Sequence, residues 1–177
     1  MKDSKKYTDN LNKFWKKQKP KGAKLSPPHY EDPVDALLYA TIREFFSETA
    51  TKKMLTKLSK HFVDWNDMRV SRFEEIIEVL GGDDPVNRTI ARTVRKSLNS
   101  VFEANDCISL DYFVELGKRK AKEELDKMES VSNYVGAYII LCCMDGHAIP
   151  INQRIVDFLK DNKLVHPDSD ISDIQGF

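Results

Sequence analysis

The sequence predicts an all-α protein of two helical lobes. Apolar residues recur at three-to-four spacing from about residue 33 to residue 162, capping residues stand where those runs begin, and no segment alternates as a half-buried strand would. With 177 residues, 41% of them hydrophobic, the chain can bury a sizeable core as one compact domain or as two small lobes sharing it.

Each element has its own signal. Pro20, Gly22 and Ser26-Pro27-Pro28 read as an extended linker, and Asp32 followed by Pro33 starts the first body helix as N-cap and first helical residue. Its apolar face is Leu37, Leu38, Ile42, Phe45 and Phe46, and Met54, Leu55, Leu58 and Phe62 repeat the pattern in a second helix. Ser71 and Glu74 have capping-box spacing ahead of Phe73, Ile76, Ile77 and Leu80, and Gly81-Gly82 ends that helix. Residues 86–104 put Ile90, Val94, Leu98 and Val101 on one stripe and Arg88, Arg92, Arg95 and Lys96 elsewhere. Ser109 can cap a helix carrying Leu110, Phe113 and Val114, and residues 118–128 read as another with Leu125 and Met128 inward. The four residues Glu129-Ser-Val-Ser132 then lead into an apolar helix over 133–144, and Asn152 heads a last helix with Ile155, Val156 and Leu159 buried. The organisation expected is a basic flexible arm and linker (1–31), a helical body (32–165) and a frayed acidic tail (166–177).

Composition excludes several classes. The longest apolar run, Ala137–Met144, is far short of the roughly 18 residues that a membrane span needs, and the N-terminus lacks the apolar core of a secretory signal. No membrane association is expected, and the chain should lie inside the cell, in the cytoplasm or with the nucleoid or nucleus. Three cysteines, two of them adjacent, provide neither a disulfide framework nor a CxxC zinc pair. The neutral net charge hides an asymmetry. Residues 1–30 hold nine lysines against Asp3 and Asp9, a net of +7, so the remaining residues carry −7. Such an arm, with Tyr7, Phe14 and Trp15 interleaved, suits a phosphate backbone and exposed bases, or else is a solvated tail folding back on an acidic body.

The order of elements around the four-residue connection is specific. Met128-Glu-Ser-Val-Ser-Asn-Tyr-Val-Gly136, then an apolar helix, then Ile149-Pro-Ile-Asn152, resembles the endonuclease III-like DNA glycosylases of the helix-hairpin-helix, Gly/Pro-Asp type. In that family the hairpin reads L-P-G-V-G-x-K-T-A and an aspartate heads the following helix. Eighteen residues separate Tyr134 from Asn152, the usual endonuclease III spacing between lysine and aspartate. Phe46-Ser-Glu-Thr-Ala-Thr51 resembles the family's L-S-x-Q-x-T segment and Leu80-Gly81 its later turn, so the likeness covers roughly residues 33–165. It implies a helix-hairpin-helix fold, double-stranded DNA as partner, and contacts through Ser130, Val131, Ser132 and Thr49.

The departures from that pattern define what is expected of the chemistry. Ser130 and Ser132 replace the hairpin glycines, where a left-handed turn would cost roughly 1 kcal/mol per residue. Tyr134 stands at the position of the lysine nucleophile, and a phenol cannot form a Schiff base. Asn152 stands at the aspartate position; a neutral amide still caps a helix but forfeits electrostatic stabilisation worth on the order of 3 kcal/mol. Thr49 stands where the family's gap-filling glutamine follows base extrusion, an expensive step that needs a plug. Asp145, Asp157 and Glu48 are the alternative carboxylates, with His147 beside the first, each read more simply as a surface group. Many relatives bind an iron–sulfur cluster through four cysteines after the last helix; no cysteine follows Cys143, so no cofactor is expected.

Three functions remain in view: a non-catalytic glycosylase-like protein holding DNA through the hairpin, the basic arm and Lys118, Arg119, Lys120, Lys122 and Lys127; a monofunctional glycosylase without lyase activity; and a helical protein-interaction module. The lysines of residues 118–127 are equally explained as a solvated face paired with Glu123, Glu124 and Asp126.

Overall fold

The computed structural model describes residues 3–18 and 26–176, so Pro20 and Gly22 of the expected linker lie outside the described residues. Among the described residues there are eleven helices and no strand. They divide into two compact units, one formed by Pro28–Pro150 and the other by Met1–Pro27 with Ile151–Phe177.

The larger unit is built around one helix. A first helix of the chain, α1 (Ser4–Gln18), belongs to the other unit; α2 (Pro33–Arg43) starts where expected, Asp32 accepting from the Val34 N–H at 2.8 Å with Pro33 at the first position. Nine of its eleven residues are buried, the signature of a helix surrounded on all sides rather than laid on a surface. Around it pack α3 (Glu48–His61), α6 (Pro85–Asn105) and, most extensively, α9 (Asn133–Cys143). The stripe Ile90, Val94, Leu98 and Val101 of α6 is fully buried, as its spacing predicts. Asp84 caps α6, and Asp106 in left-handed conformation ends it.

Shorter elements complete this unit and correct several local expectations. A helix not read from the sequence, α4 (Trp65–Val70), is capped by Asp64. Ser71 forms no capping box for α5 (Phe73–Leu80): its hydroxyl turns back to donate to the Asp67 carbonyl at 2.8 Å, closing α4, and Arg72 precedes α5 without a side-chain cap. A serine at a helix end has both choices, and the carbonyl one turn back wins here. Gly81 and Gly82, both at positive φ, terminate α5 as expected. Ser109 receives the Asp111 N–H at 3.0 Å, so α7 (Tyr112–Leu116) begins one residue after Asp111, with Leu110 buried ahead of it and Val114 outward at 63% exposure. Gly117, at φ 77°, joins α7 to α8 (Lys118–Lys127).

The second unit contains α1, α10 (Gln153–Asp161) and α11 (Ile171–Gln175) around Ile151, Val156, Val165 and Ile174. The basic arm carries a helix over Ser4–Gln18. Tyr7 is buried with its ring edge-on to His166, Phe14 meets Phe158 at 5.9 Å, and the Asn10 amide donates to the Lys163 carbonyl at 3.1 Å. Tyr7, Leu11 and Phe14 are one turn apart, a helix signal that the lysine density outweighed in the sequence. The acidic tail carries a short helix too, because Asp170 and Asp173 form a reciprocal capping box that starts α11 and Ile174 is buried. In α10, Val156 is buried but Ile155 and Phe158 are exposed.

Candidate functional site

The hairpin follows from where α8 stops. Ala121 and Leu125 bury one face of α8, and Met128 turns the backbone into an extended conformation. A tight turn follows, closed by the Val131 N–H donating to the Met128 carbonyl at 2.9 Å. Ser132 then caps α9, its hydroxyl oxygen accepting from the Val135 N–H at 3.3 Å.

Ser130 and Ser132 are both tethered inward. The buried Ser97 on α6 donates to the Ser130 hydroxyl at 3.1 Å, and the Ser132 hydroxyl donates to Glu44 Oε2 at 3.0 Å. Neither serine is left-handed; the non-glycine residues at positive φ are Asp3, Asp106, Asp145 and Lys163 among the described residues. The conformational penalty expected of a serine-for-glycine hairpin is therefore absent: the turn has relaxed into backbone that serine adopts freely, and its hydroxyls join the scaffold. At the head of α9 Asn133 is exposed and Tyr134 is buried, and the first N–H groups of a helix have no intrahelical acceptor.

Tyr134 lies in the core cluster at 7% exposure, and burial raises its phenol. It neighbours Tyr138, which stacks on Tyr39 at 5.5 Å and hydrogen-bonds Tyr30 hydroxyl-to-hydroxyl at 3.1 Å. Burial pushes Tyr30 up to about 12. Arg43 faces both Tyr39 and Tyr134 while donating to the Phe46 carbonyl at 2.7 Å.

Glu44 is the carboxylate that sequence reasoning missed. Burial raises it above the ordinary glutamate value of 4.5, against the Ser132 hydrogen bond that lowers it. The folded state thus holds this proton more tightly than the unfolded chain does. As pH rises from 4.5 through the folded value, Glu44 must ionise in a half-buried setting and stability falls. Glu44→Gln, which can keep the Ser132 contact, is expected to flatten the stability profile over that window; chemical denaturation at a series of pH values checks it.

The other candidate carboxylates are surface groups. Glu48 pairs with Lys52 at 2.5 Å, Asp157 accepts from Gln153 at 2.7 Å, and Asp145 and His147 are exposed in the loop after α9. Thr49 sits exposed in the first turn of α3. Asn152 belongs to the other unit, where it caps α10: its Oδ1 accepts from the Ile155 N–H at 3.1 Å and the residue is 7% exposed. Asn152→Ala is expected to cost about 1 kcal/mol and Asn152→Asp less than about 0.5 kcal/mol, read by thermal denaturation.

The basic residues of α8 are largely occupied. Arg119 pairs with Glu123, Lys122 with Asp126 and Lys127 with Glu124, while Lys118 donates to the Asp145 carbonyl at 2.7 Å. Lys120 has no ion-pair partner among the described residues. Beside the turn lies an open groove of about 560 Å³ bounded by Lys96, Asn99, Tyr112, Glu124, Lys127 and Ser130.

The donor set for an iron–sulfur cluster does not fit. Within these 177 residues the cysteines are Cys107, Cys142 and Cys143, the last two on α9, whereas a cluster takes four thiolates. Among the described residues no group of three or more His, Cys, Asp or Glu could hold a metal ion. No helix of the described residues is long and apolar enough to cross a membrane.

These helices and this hairpin define the all-α helix-hairpin-helix fold of the DNA glycosylases. The particular structures that share it are a trapped endonuclease III–DNA covalent intermediate (TM-score 0.72, 14% identity, 99% of this chain and 76% of that one) and a non-covalent endonuclease III–DNA complex (0.70, 14%, 99% and 76%). A third is the 8-oxoguanine glycosylase/lyase of Clostridium acetobutylicum with double-stranded DNA containing cytosine opposite 8-oxoG (0.70, 18%, 99% and 63%). The sequence matches no family model and no curated protein. At these identities the likeness establishes the fold.

Proposed function

We propose that this protein binds double-stranded DNA on a glycosylase fold without excising bases. The observation that carries the reading is Asn152, a neutral helix cap whose Oδ1 accepts from the Ile155 N–H where the resemblance puts the family's aspartate. Tyr134, a buried phenol packed among tyrosines at the position the resemblance gives the lysine nucleophile, has no amine for a Schiff base, which argues against lyase chemistry by that route. Asn152 carries no charge to stabilise a cation developing on the sugar, so hydrolysis of the base by water loses its electrostatic partner as well.

DNA contact rests on the head of α9 and the cations of α8. The N–H groups at the head of α9, at the positive end of the helix dipole and beside the exposed Asn133, suit a phosphate oxygen. The ion pairs of α8 are exposed and screened by solvent, so a phosphate can replace the carboxylate partners of Arg119 and Lys127. The solved neighbours are complexes with DNA, which favours this partner. The test is a fluorescence titration of labelled duplex, intact and carrying an abasic-site analogue, at low and physiological salt. Saturable binding that weakens when Lys118, Arg119, Lys120 and Lys127 are changed to Gln is expected; equal affinity of that variant would refute hairpin-side contact.

Glu44 favours a second reading, a monofunctional glycosylase using this half-buried carboxyl beside the hairpin. Base release from a damaged duplex that disappears in Glu44→Gln would establish it.

A further inference from the structure

We propose that the lysine face of α1 is a second nucleic-acid docking surface, one that tracks a phosphate backbone. The inference deepens the DNA-binding reading and rests on it for the class of partner. Lys5, Lys6, Lys13, Lys16 and Lys17 fall within about 120° of the helix circumference at 3.6 residues per turn. From Lys5 to Lys17 the stripe is about 18 Å long at 1.5 Å per residue, the axial length of roughly five phosphates on one strand. All five lysines are exposed and none forms an ion pair among the described residues, in contrast to α8, where three of five cations are matched by acids on the same helix. Asp9 is the single acid on this face.

The opposite face decides between two polyanions. A basic helix that binds a membrane surface must insert an apolar face into lipid. Here Tyr7 and Phe14 are already engaged by His166 and Phe158, so the lysines project from a helix whose apolar side is anchored to protein. Of the large apolar side chains of α1 Trp15 alone is about half exposed, too little for a face inserted into lipid, so the cationic stripe fits a phosphate backbone, and it is already helical, so binding need not fold an arm. Its energetics are those of counterion release, with a salt slope of about −0.9 per phosphate neutralised on duplex.

The experiment compares three full-length proteins: the native chain, a variant with Lys5, Lys6, Lys13, Lys16 and Lys17 changed to Gln, and the α8 variant described above. Circular dichroism first confirms equal helicity, which Gln should preserve because its helix propensity is close to that of Lys. Duplex affinity is then measured from about 50 to 200 mM salt, a range over which several lost contacts change affinity by orders of magnitude. The α1 variant is expected to flatten the slope by about 3 or more and to lose at least about 100-fold in affinity at the lowest salt. Unchanged slope and affinity in that variant would overturn the inference, whatever the α8 variant does. Loss in the α1 variant with none in the α8 variant would uphold it while refuting the hairpin contact. A native chain that binds anionic phosphatidylserine vesicles but not duplex would overturn it in favour of a membrane surface.

Discussion

Replacing Gly146 by alanine is expected to lower stability by about 2–3 kcal/mol, a loss visible as a lower midpoint in urea. The reason is local and steric. A Cβ on Gly146 would stand 2.3 Å from Ile140 Cγ2 and 2.8 Å from the Ile140 carbonyl oxygen. The Ile140 side chain could rotate away, but the carbonyl cannot, because it accepts the Gly146 N–H at 2.9 Å and belongs to the last turns of α9. The chain leaves α9 by folding directly back against it, with Asp145 left-handed at φ 49° and its carbonyl held by Lys118. Alanine must open that return. An unchanged midpoint would show that the loop relaxes freely and does not fix the exit of α9.

Leu125→Ala is expected to cost about 3–5 kcal/mol and to loosen the hairpin before the rest of its unit. Leu125 is 1% exposed on α8 and lies against α9 beside Gly136, where an added Cβ would be only 3.8 Å from Leu125 Cβ. Its removal leaves a cavity that the close approach of the two helices cannot fill. The turn Met128–Ser132 hangs on this contact and on Ser97 and Glu44. Amide hydrogen exchange should therefore accelerate at Val131 and Val135 more than along α2. Uniform acceleration would mean that the hairpin and the central helix unfold as one.

The fold was legible in the sequence where helix ends announce themselves. Asp32-Pro33, Gly81-Gly82 and Asn152 mark boundaries by local chemistry, and the stripe of α6 is periodic over its whole length. Legibility failed where a short or highly charged helix depends on distant partners. In α1 the anchors are His166 and Phe158, more than 140 residues away in the chain, and α4 and α11 are only six and five residues long. The same limit hid Glu44. In sequence it is one of many acids; its burial and its bond to Ser132, 88 residues on, exist only in the fold. The hairpin could be placed by order and spacing, yet the conformation of its serines could not, because Ser97 and Glu44 determine where their hydroxyls point.

The central claim is that a glycosylase fold here holds DNA without cutting it. The most direct measurement incubates the native chain with end-labelled duplexes carrying uracil, 8-oxoguanine or a natural abasic site, follows retention on a native gel, and then resolves the strands under denaturing conditions, after alkali for the two base lesions and at neutral pH for the abasic site. Retained duplex with every strand full length at the two base lesions, and no enzyme-dependent scission at the abasic site under neutral conditions, is the result expected from a buried Tyr134 and a neutral Asn152. Time-dependent strand breaks above the protein-free control would contradict it and move the search for the reacting group to Glu44.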